Sequence, residues 1–399
     1  MNVLKFGYIL PLREPPPTFY ARNNKSALRH GEFVQTAITE LLKNGFIEEL
    51  DAPAHCCNPL TVAEKGKLRL VLDLRHVNTY LELKKFKYED LKVVAEMFDQ
   101  GNFFVKFDLS SGYYHIDIHP EHFKYLGFHW EYSTNHTRYF HFTVLAFGLA
   151  PAGYVFTKVL RPLTKRWRSQ GIKSVIFLDD GIAARRSKEL TERAGEQIRD
   201  DLTRAGFTIN QEKSDFVPKQ RGRWLGVVID TRTMTFHVPP DKVTNLKEHI
   251  TRTLRQKNIS PKELAKLAGE LSSMHQAIGP LVRLFTRQMY RQIAESESWY
   301  QHIPLTAKCV QELHFWLQNI ADINGYTFKP RPITTQMMFT DAGESGYGGF
   351  MVNQLEKLVC CGKFTEYEKQ QSSTFRELLA VKLVLQVLRD NSKKSSNSN

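Results

Sequence analysis

Two short apolar runs end in acids: Val105-Lys106-Phe107-Asp108 and Val175-Ile176-Phe177-Leu178-Asp179-Asp180. Hard divalent cations seek carboxylate oxygens, and magnesium typically takes one or two carboxylates together with substrate phosphates. A pair of such ions about 4 Å apart steadies both the attacking and the leaving oxygen of a phosphoryl displacement. If the two runs are neighbouring strands of one sheet, Asp108 and Asp179 face each other where the strands end, and the site can do that chemistry. The plainer reading of Asp179-Asp180-Gly181 is a solvated hairpin turn, which this tripeptide alone would suit. The apolar strand ahead of it, Ser174 to Leu178, weighs against a turn with no further role.

Something must position those acids. At 399 residues the chain is too long for one ordinary domain, and 42% hydrophobic residues support packed cores over disorder. Lys and Arg number 55 against 42 Asp and Glu, a net charge of +13. That excess favours a polyanionic partner, because phosphates draw cationic side chains and release counterions. The five cysteines fall as Cys56-Cys57, Cys309 and Cys360-Cys361. Adjacent pairs cannot make the spaced knuckle of a zinc site, so reduced thiols in an intracellular compartment are expected. No apolar run approaches the roughly 20 residues of a membrane helix. Pro11 and Pro15-Pro16-Pro17 are unlike a signal peptide. The expectation is an intracellular protein of cytoplasm or nucleus, neither secreted nor membrane-bound.

Periodicity places the elements. Residues 1–30 read as an extended N-terminal arm. Glu32 to Lys43 reads as a helix with Phe33, Val34, Ile38, Leu41 and Leu42 on one face, ended by Asn44-Gly45. Leu68 to Leu74, Phe103 to Asp108 and Tyr139 to Leu145 read as extended. A helix starts at Pro151, and another is capped by Ser187 and closed by Gly206. Trp224 to Ile229 and Thr235 to Val238 read as two strands. Ser260 to Ile293 is helical and basic, broken at Gly279-Pro280, and strands return after Pro330. Strands alternating with helices, then a helical block, then strands argue a mixed α/β (α+β) architecture.

Four segments in this order resemble the reverse transcriptases of retrotransposons: F-D-L-S-S-G-Y-Y-H-I (Phe107 to Ile116), L-A-F-G-L-A-P-A-G-Y-V-F (Leu145 to Phe156), F-L-D-D (Phe177 to Asp180) and W-L-G-V-V-I (Trp224 to Ile229). The nearest flavour is the DIRS type, with long-terminal-repeat elements and pararetroviruses as cousins. The resemblance implies a right-hand polymerase: fingers and palm over 31–237, a helical thumb or connection over 238–332, a partial ribonuclease H-like domain over 333–390, and a disordered tail over 391–399.

The resemblance also implies roles. Asp108, Asp179 and Asp180 match the catalytic, metal-binding aspartates, with two magnesium or manganese ions as cofactors. Tyr113 matches the aromatic gate against a 2′-hydroxyl, though a core aromatic would look the same. Phe147-Gly148 match the loop near the incoming nucleotide. Arg69, with Lys65 or Lys67, matches the cations that hold the triphosphate; an exposed basic loop is the alternative. Arg75 and Asn78, beside Asp73, match a segment supporting the template strand. Lys213 matches a lysine that protonates pyrophosphate, with a solvent-facing lysine as the alternative. Trp224, Leu225 and Gly226 match the primer grip. The implied partners are an RNA or DNA template with its primer, and deoxynucleoside triphosphates. Phe177 departs from the family's tyrosine, which removes a phenolic hydroxyl and no metal ligand.

Lys262, Lys266, Arg283, Arg287 and Arg291 flank apolar helical positions, as expected for a surface following a duplex, or for a merely solvated face. Met338 to Ala342 and Gly346 to Phe350 look like the first hairpin of a ribonuclease H-like fold, with Asp341 and Glu377 matching two of its metal carboxylates. Asp390 has no apolar strand ahead of it, so two-metal hydrolysis is not expected here, and the partial sheet leaves an edge open. The favoured function is RNA-directed DNA polymerase. The alternatives are a catalytically silent nucleic-acid-binding remnant, which the intact aspartates argue against, and an RNA-making polymerase, which bulky Tyr113 argues against.

Overall fold

The computed structural model describes residues 3–64, 66–133, 136–328, 337–352 and 357–396. They form two compact units, one ending at Lys329 and one beginning at Pro330. Among the described residues no helix is long and apolar enough to cross a membrane.

The first unit opens with the arm, which is packed rather than free. Tyr8 bridges Ile118 and Leu12 bridges Leu81. Strand β1 (Phe19–Tyr20) pairs in parallel with β3 (Cys56–Cys57). With β2 (Ile47–Leu50), β7 (Gly127–Ser133) and β8 (His136–Phe142) these make a sheet of order β1-β3-β7-β8-β2. Helix α1 (Gly31–Lys43) buries Val34, Ile38 and Leu41 and gives way at Gly45, whose φ of +70° suits glycine. A ribbon of β4 (Leu60–Ala63) and β5 (Arg69–Leu72) stands beside it.

The central sheet has the order β11-β6-β10-β9, from β6 (Phe103–Asp108), β9 (Lys173–Phe177), β10 (Asp180–Arg185) and β11 (Asp215–Lys219). Both its faces are covered. Val105, Phe107, Ile176 and Ala183 join one core, with Trp167 of α2 (Ala152–Ser169) and Ile198 of α3 (Lys188–Arg204). Phe104, Val175, Ile182 and Ala184 join a second core with the helical block. Two covered faces are why these strands read as continuous apolar runs instead of alternating. Ser187 caps α3 by accepting the Leu190 amide.

A third sheet follows, β12 (Arg221–Trp224), β13 (Val227–Asp230) and β14 (Thr235–His237), joined by β17 (Tyr326–Thr327). The run Trp224 to Ile229 is therefore not one strand. It is a hairpin turning at Leu225 (φ +44°) and Gly226 (φ +76°), the two left-handed positions of a primed turn. The helical block contains α4 (Pro240–Arg255), α5 (Pro261–Ser273), α6 (Arg287–Ala294) and α7 (Ala307–Asn319), with a minor pair of β15 (Asn258–Ile259) and β16 (Ile303–Pro304). Ser260 and Glu263 form a full capping box at the start of α5.

The second unit is an antiparallel sheet of β18 (Met337–Ala342), β19 (Gly346–Val352) and β20 (Lys357–Lys363), with α8 (Ser373–Ser396) packed on it. The helix comes so close at Gly349 that a Cβ there would lie 2.7 Å from Val384 Cγ2. Helix α8 runs on to Ser396, so residues 391–396 are helical where a disordered tail was expected. Propagating an established helix costs little once it is nucleated, which composition does not reveal. Residues 397–399 lie outside the described residues.

Candidate active site

Asp108 ends β6, Asp180 begins β10, and the two are Cα partners across the antiparallel pair. Opposed residues of such a pair point to the same face, so both carboxylates leave the sheet on one side. Asp179 occupies the two-residue turn from β9 to β10 together with Leu178, whose φ is +54°. A left-handed first position is what such hairpin turns require, and it costs a leucine roughly 1–2 kcal/mol. The Leu109 amide donates to the Asp179 carbonyl at 3.0 Å and fixes the turn beside β6. The expected neighbours, β6 and β9, are in fact separated by β10. Asp180 thus stands opposite Asp108, and Asp179 rides on the turn beside them.

Asp108 is 5% exposed, whereas Asp179 and Asp180 are half-buried. Burial, then the nearby Asp179 and Asp108, push the Asp180 carboxyl up to about 6. Burial also raises Asp179, with Asp108 adding to it and Lys213 and Arg69 opposing. The Lys213 ammonium lies 3.2 and 3.4 Å from the two oxygens of Asp108. Among the described residues no group of three or more His, Cys, Asp or Glu is arranged to hold a metal ion. Two further residues fix Asp108 and were not foreseen. Its amide donates to Ser214 Oγ at 3.0 Å, and its carbonyl accepts from the Asn210 amide at 2.8 Å. Asn210 Oδ1 in turn accepts from the Glu212 and Lys213 amides. The signal for this was the Asx turn at Asn210, four residues ahead of Ser214.

Tyr113 packs against Phe147 at 5.1 Å and Phe156 at 5.6 Å, on a 3-10 turn whose Gly112 abuts Phe156. Burial, with Tyr88 and Asp179 nearby, pushes its phenol up to about 12. Lys67 and Arg69, both exposed, line one cleft of about 320 Å³ with Ser111, Tyr114 and Phe147. Lys65 lies outside the described residues. Gly148 (φ +110°) comes so close to β5 that a Cβ would sit 1.9 Å from the Leu72 carbonyl oxygen. Asn78 clamps this loop, donating to the Gly148 carbonyl and accepting from the Ala150 amide, both at 2.9 Å. Arg75 forks onto Asp73 and holds that carboxyl below the usual range. Trp224 is 3% exposed and belongs to the second core, so of the three hairpin residues only Leu225 and Gly226 reach the surface. In the second unit Asp341 on β18 and Glu377 on α8 are both exposed.

Residues 59–229 match the family model described as reverse transcriptase (RNA-dependent DNA polymerase). This stretch is a reverse transcriptase domain. It contains Asp108, Asp179, Asp180 and the elements that bring them together. The chain is also 23% identical, over 86% of its length, to a polyprotein of Cassava vein mosaic virus, and 24% identical, over 88%, to the genome polyprotein of Petunia vein clearing virus (isolate Shepherd). The Transposon Tf2-3 polyprotein of Schizosaccharomyces pombe is 20% identical over 86% of the chain. The chain spans 52%, 16% and 24% of these three relatives. Viral and retrotransposon polyproteins are thus its kin, and none of these three carries the finer DIRS attribution. Among solved structures, the foamy viral protease-reverse transcriptase in complex with RNA/DNA hybrid aligns with a TM-score of 0.66 at 18% identity, covering 96% of this chain and 50% of that one. The same protein in complex with dsDNA gives 0.65 at 19% identity, covering 96% and 75%. The likeness of fold thus extends beyond residues 59–229, to 96% of the chain.

Proposed function

We propose that the chain is the polymerase portion of a retroelement replication protein. It copies an RNA or DNA template into DNA, the primer 3′-hydroxyl attacking the α-phosphate of a deoxynucleoside triphosphate as pyrophosphate leaves. The observation that carries this reading is the register of Asp108 against Asp180, with Asp179 on the adjoining turn. The related foamy viral protein, solved with dsDNA and with RNA/DNA hybrid, supports a duplex as partner.

Asp108, Asp179 and Asp180 would hold the magnesium or manganese ions, as a pair. Their fit is supported by the crowding itself: burial, with Asp108 close to both, pushes the Asp179 and Asp180 carboxyls up, and a bound cation would offset that. Such ions, when bound, would stabilise charge on the attacking and leaving oxygens. Lys213 Nζ would let go of Asp108 and give its proton to the leaving pyrophosphate. Arg69 and Lys67, with Lys65, would hold the triphosphate. Tyr113 would bar a 2′-hydroxyl, with Phe147 and Gly148 packing beside the nucleotide. Arg75 and Asn78 would steady the template side, Asn78 through the loop it clamps. The hairpin at Trp224, Leu225 and Gly226 would press on the primer. Asp341 and Glu377 remain a partial nuclease set, and ribonuclease H activity is not proposed.

One observation favours the silent nucleic-acid-binding reading: an ammonium already rests on Asp108. Primer extension on RNA and DNA templates with magnesium or manganese separates the two readings. The wild-type chain is expected to extend, and Asp179→Asn to fall below about one-thousandth of that rate, as expected when charge stabilisation of the transition state is lost. Extension that survives Asp179→Asn would remove the acids from the mechanism. A wild-type chain that binds primer–template without extending it would leave the silent reading.

A further inference from the structure

The basic residues along helix α2 serve no part of the site described above. Lys158, Arg161 and Lys165 stand at i, i+3 and i+7, so they share one face of that helix. The face borders a cleft of about 340 Å³, lined also by Phe86, Lys87 and Glu89. Past Phe86 a second cleft of about 470 Å³ carries on along Lys84, Lys85 and Tyr154 to the arm at Tyr8. Of the acids lining the two clefts, Glu89 is taken by Arg168, which leaves Glu82 against six cations. Those six, Lys84, Lys85, Lys87, Lys158, Arg161 and Lys165, are exposed and make no ion pair with any described residue. Between them Phe86 and Tyr154, both half-buried, pack edge to face at 5.2 Å. Lys158 Nζ lies 5.3 Å from the centre of the Tyr154 ring. Like charges gathered in this way repel one another, a cost that a polyanion removes.

The groove lies across the central sheet from the carboxylates. Asp108 and Asp180 share the strand face of Phe104 and Ile182, which look into the second core. Ile176, which lines the first cleft, belongs with Phe107 and Ala183 to the opposite face, the one that α2 covers. A duplex held at the carboxylates therefore leaves the groove unfilled.

We infer that this groove binds a single strand of RNA or DNA lying outside the primer–template duplex. Phosphates meet the row of Lys and Arg, and bases stack on Phe86 and Tyr154, the combination that single-strand sites use. A duplex keeps its base faces stacked inside and offers the rings nothing. An acidic protein segment would meet the charges and leave the rings idle. The inference goes beyond the polymerase reading, because binding here needs no catalysis.

The test uses the whole chain, saturated with a blunt-ended DNA duplex, and a fluorescent oligothymidylate of about 16 nucleotides. Fluorescence anisotropy is expected to show the oligonucleotide binding alongside the duplex. Lys158→Ala, Arg161→Ala and Lys165→Ala combined are expected to weaken it at least about 10-fold. The salt slope is expected to fall by about 2, three phosphate contacts being lost. Phe86→Leu is expected to weaken binding about 5-fold or more, the worth of one stacked base. The three cations are exposed, so the triple variant is expected to keep the wild-type melting temperature. Its extension of a primer on a template with a single unpaired nucleotide is expected to stay within about 2-fold of wild type, as for other surface changes. Should Phe86→Leu fail to fold, thiothymidine photocrosslinking of the wild type decides, with adducts expected on Phe86 or Tyr154. The inference is overturned if the duplex displaces the oligonucleotide, since the strand then sits at the carboxylates, or if the triple variant binds it as wild type does. It is equally overturned if polyglutamate binds as tightly and Phe86→Leu is indifferent, which would make the partner an acidic protein. A wild type that binds the strand and extends nothing sinks the polymerase reading alone.

Discussion

At the scale of single residues, this molecule spends strain and buried charge in few places. Leu178 is left-handed, and the turn it makes holds Asp179 next to Asp108 and Asp180. Asp230 is a second buried acid, 2% exposed and bonded to Arg232 and Arg221. Hydrogen bonds from Arg232 hold its carboxyl below the usual range. A depressed carboxyl contributes stability that is present above its unfolded pKa, near 3.9, and lost as pH falls through the folded value. Asp230→Asn is therefore expected to cost about 1–3 kcal/mol at pH 7 and to flatten the acid limb of the stability profile. Denaturant melts from pH 7 down to pH 3 check this, and an acid limb as steep as wild type's would refute it. Asp108 and Asp179 could be read directly, since an apolar strand ending in an acid is a strong local signal. The pairing of Asp108 with Asp180 could not. It depends on Gly181 to Arg185 returning as a strand, and G-I-A-A-R carries neither length nor alternation enough to say so. Ser214 was silent for a different reason: its partner, Asp108, lies far away in sequence, and only the local Asx turn at Asn210 hinted at it.

At the scale of elements, the helices announce themselves and the turns do not. Helix α1 spans Gly31–Lys43 where Glu32 to Lys43 was read, because its apolar stripe and its glycine stop are both local. The Leu225-Gly226 turn passed unnoticed, since an apolar leucine sits where Asn or Asp would have marked it. Helix α6 shows a stabilising device that no local pattern reveals. The buried carboxylate of Glu312, from α7, accepts the amides of Gln288 and Met289 at 2.9 and 3.1 Å. It places a negative charge on the unsatisfied N–H groups of a helix start. Glu312→Ala leaves both amides unpaired and is expected to cost about 1–3 kcal/mol, measured by denaturant unfolding. A loss under about 0.5 kcal/mol, within the range of an ordinary surface change, would mean that water satisfies those amides as well.

At the scale of the whole molecule, the charge surplus is the one global property that bears on partners, and it separated few possibilities by itself. The division near residue 330 is more informative. Fingers, palm and helical block, as the resemblance names them, share two cores within one compact unit. Residues 1–329 produced alone are expected to melt in a single transition and to retain primer extension within about a factor of three, since a domain with its own core can fold by itself. Calorimetry and the extension assay check this together. Failure to fold would show that the second unit completes the first.

The arm has a consequence for how the chain is made. Its residues are stitched to partners synthesised much later: Tyr8 waits for Ile118, about 110 residues downstream, and Leu12 for Leu81. On a ribosome adding about 5–20 residues per second, the first of those waits lasts roughly 5 to 20 s. Throughout it Leu10, 2% exposed in the finished molecule, hangs in water with nothing to cover it. Until Ile118 emerges, chaperones and proteases have access to this segment, and the finished fold inherits whatever they leave.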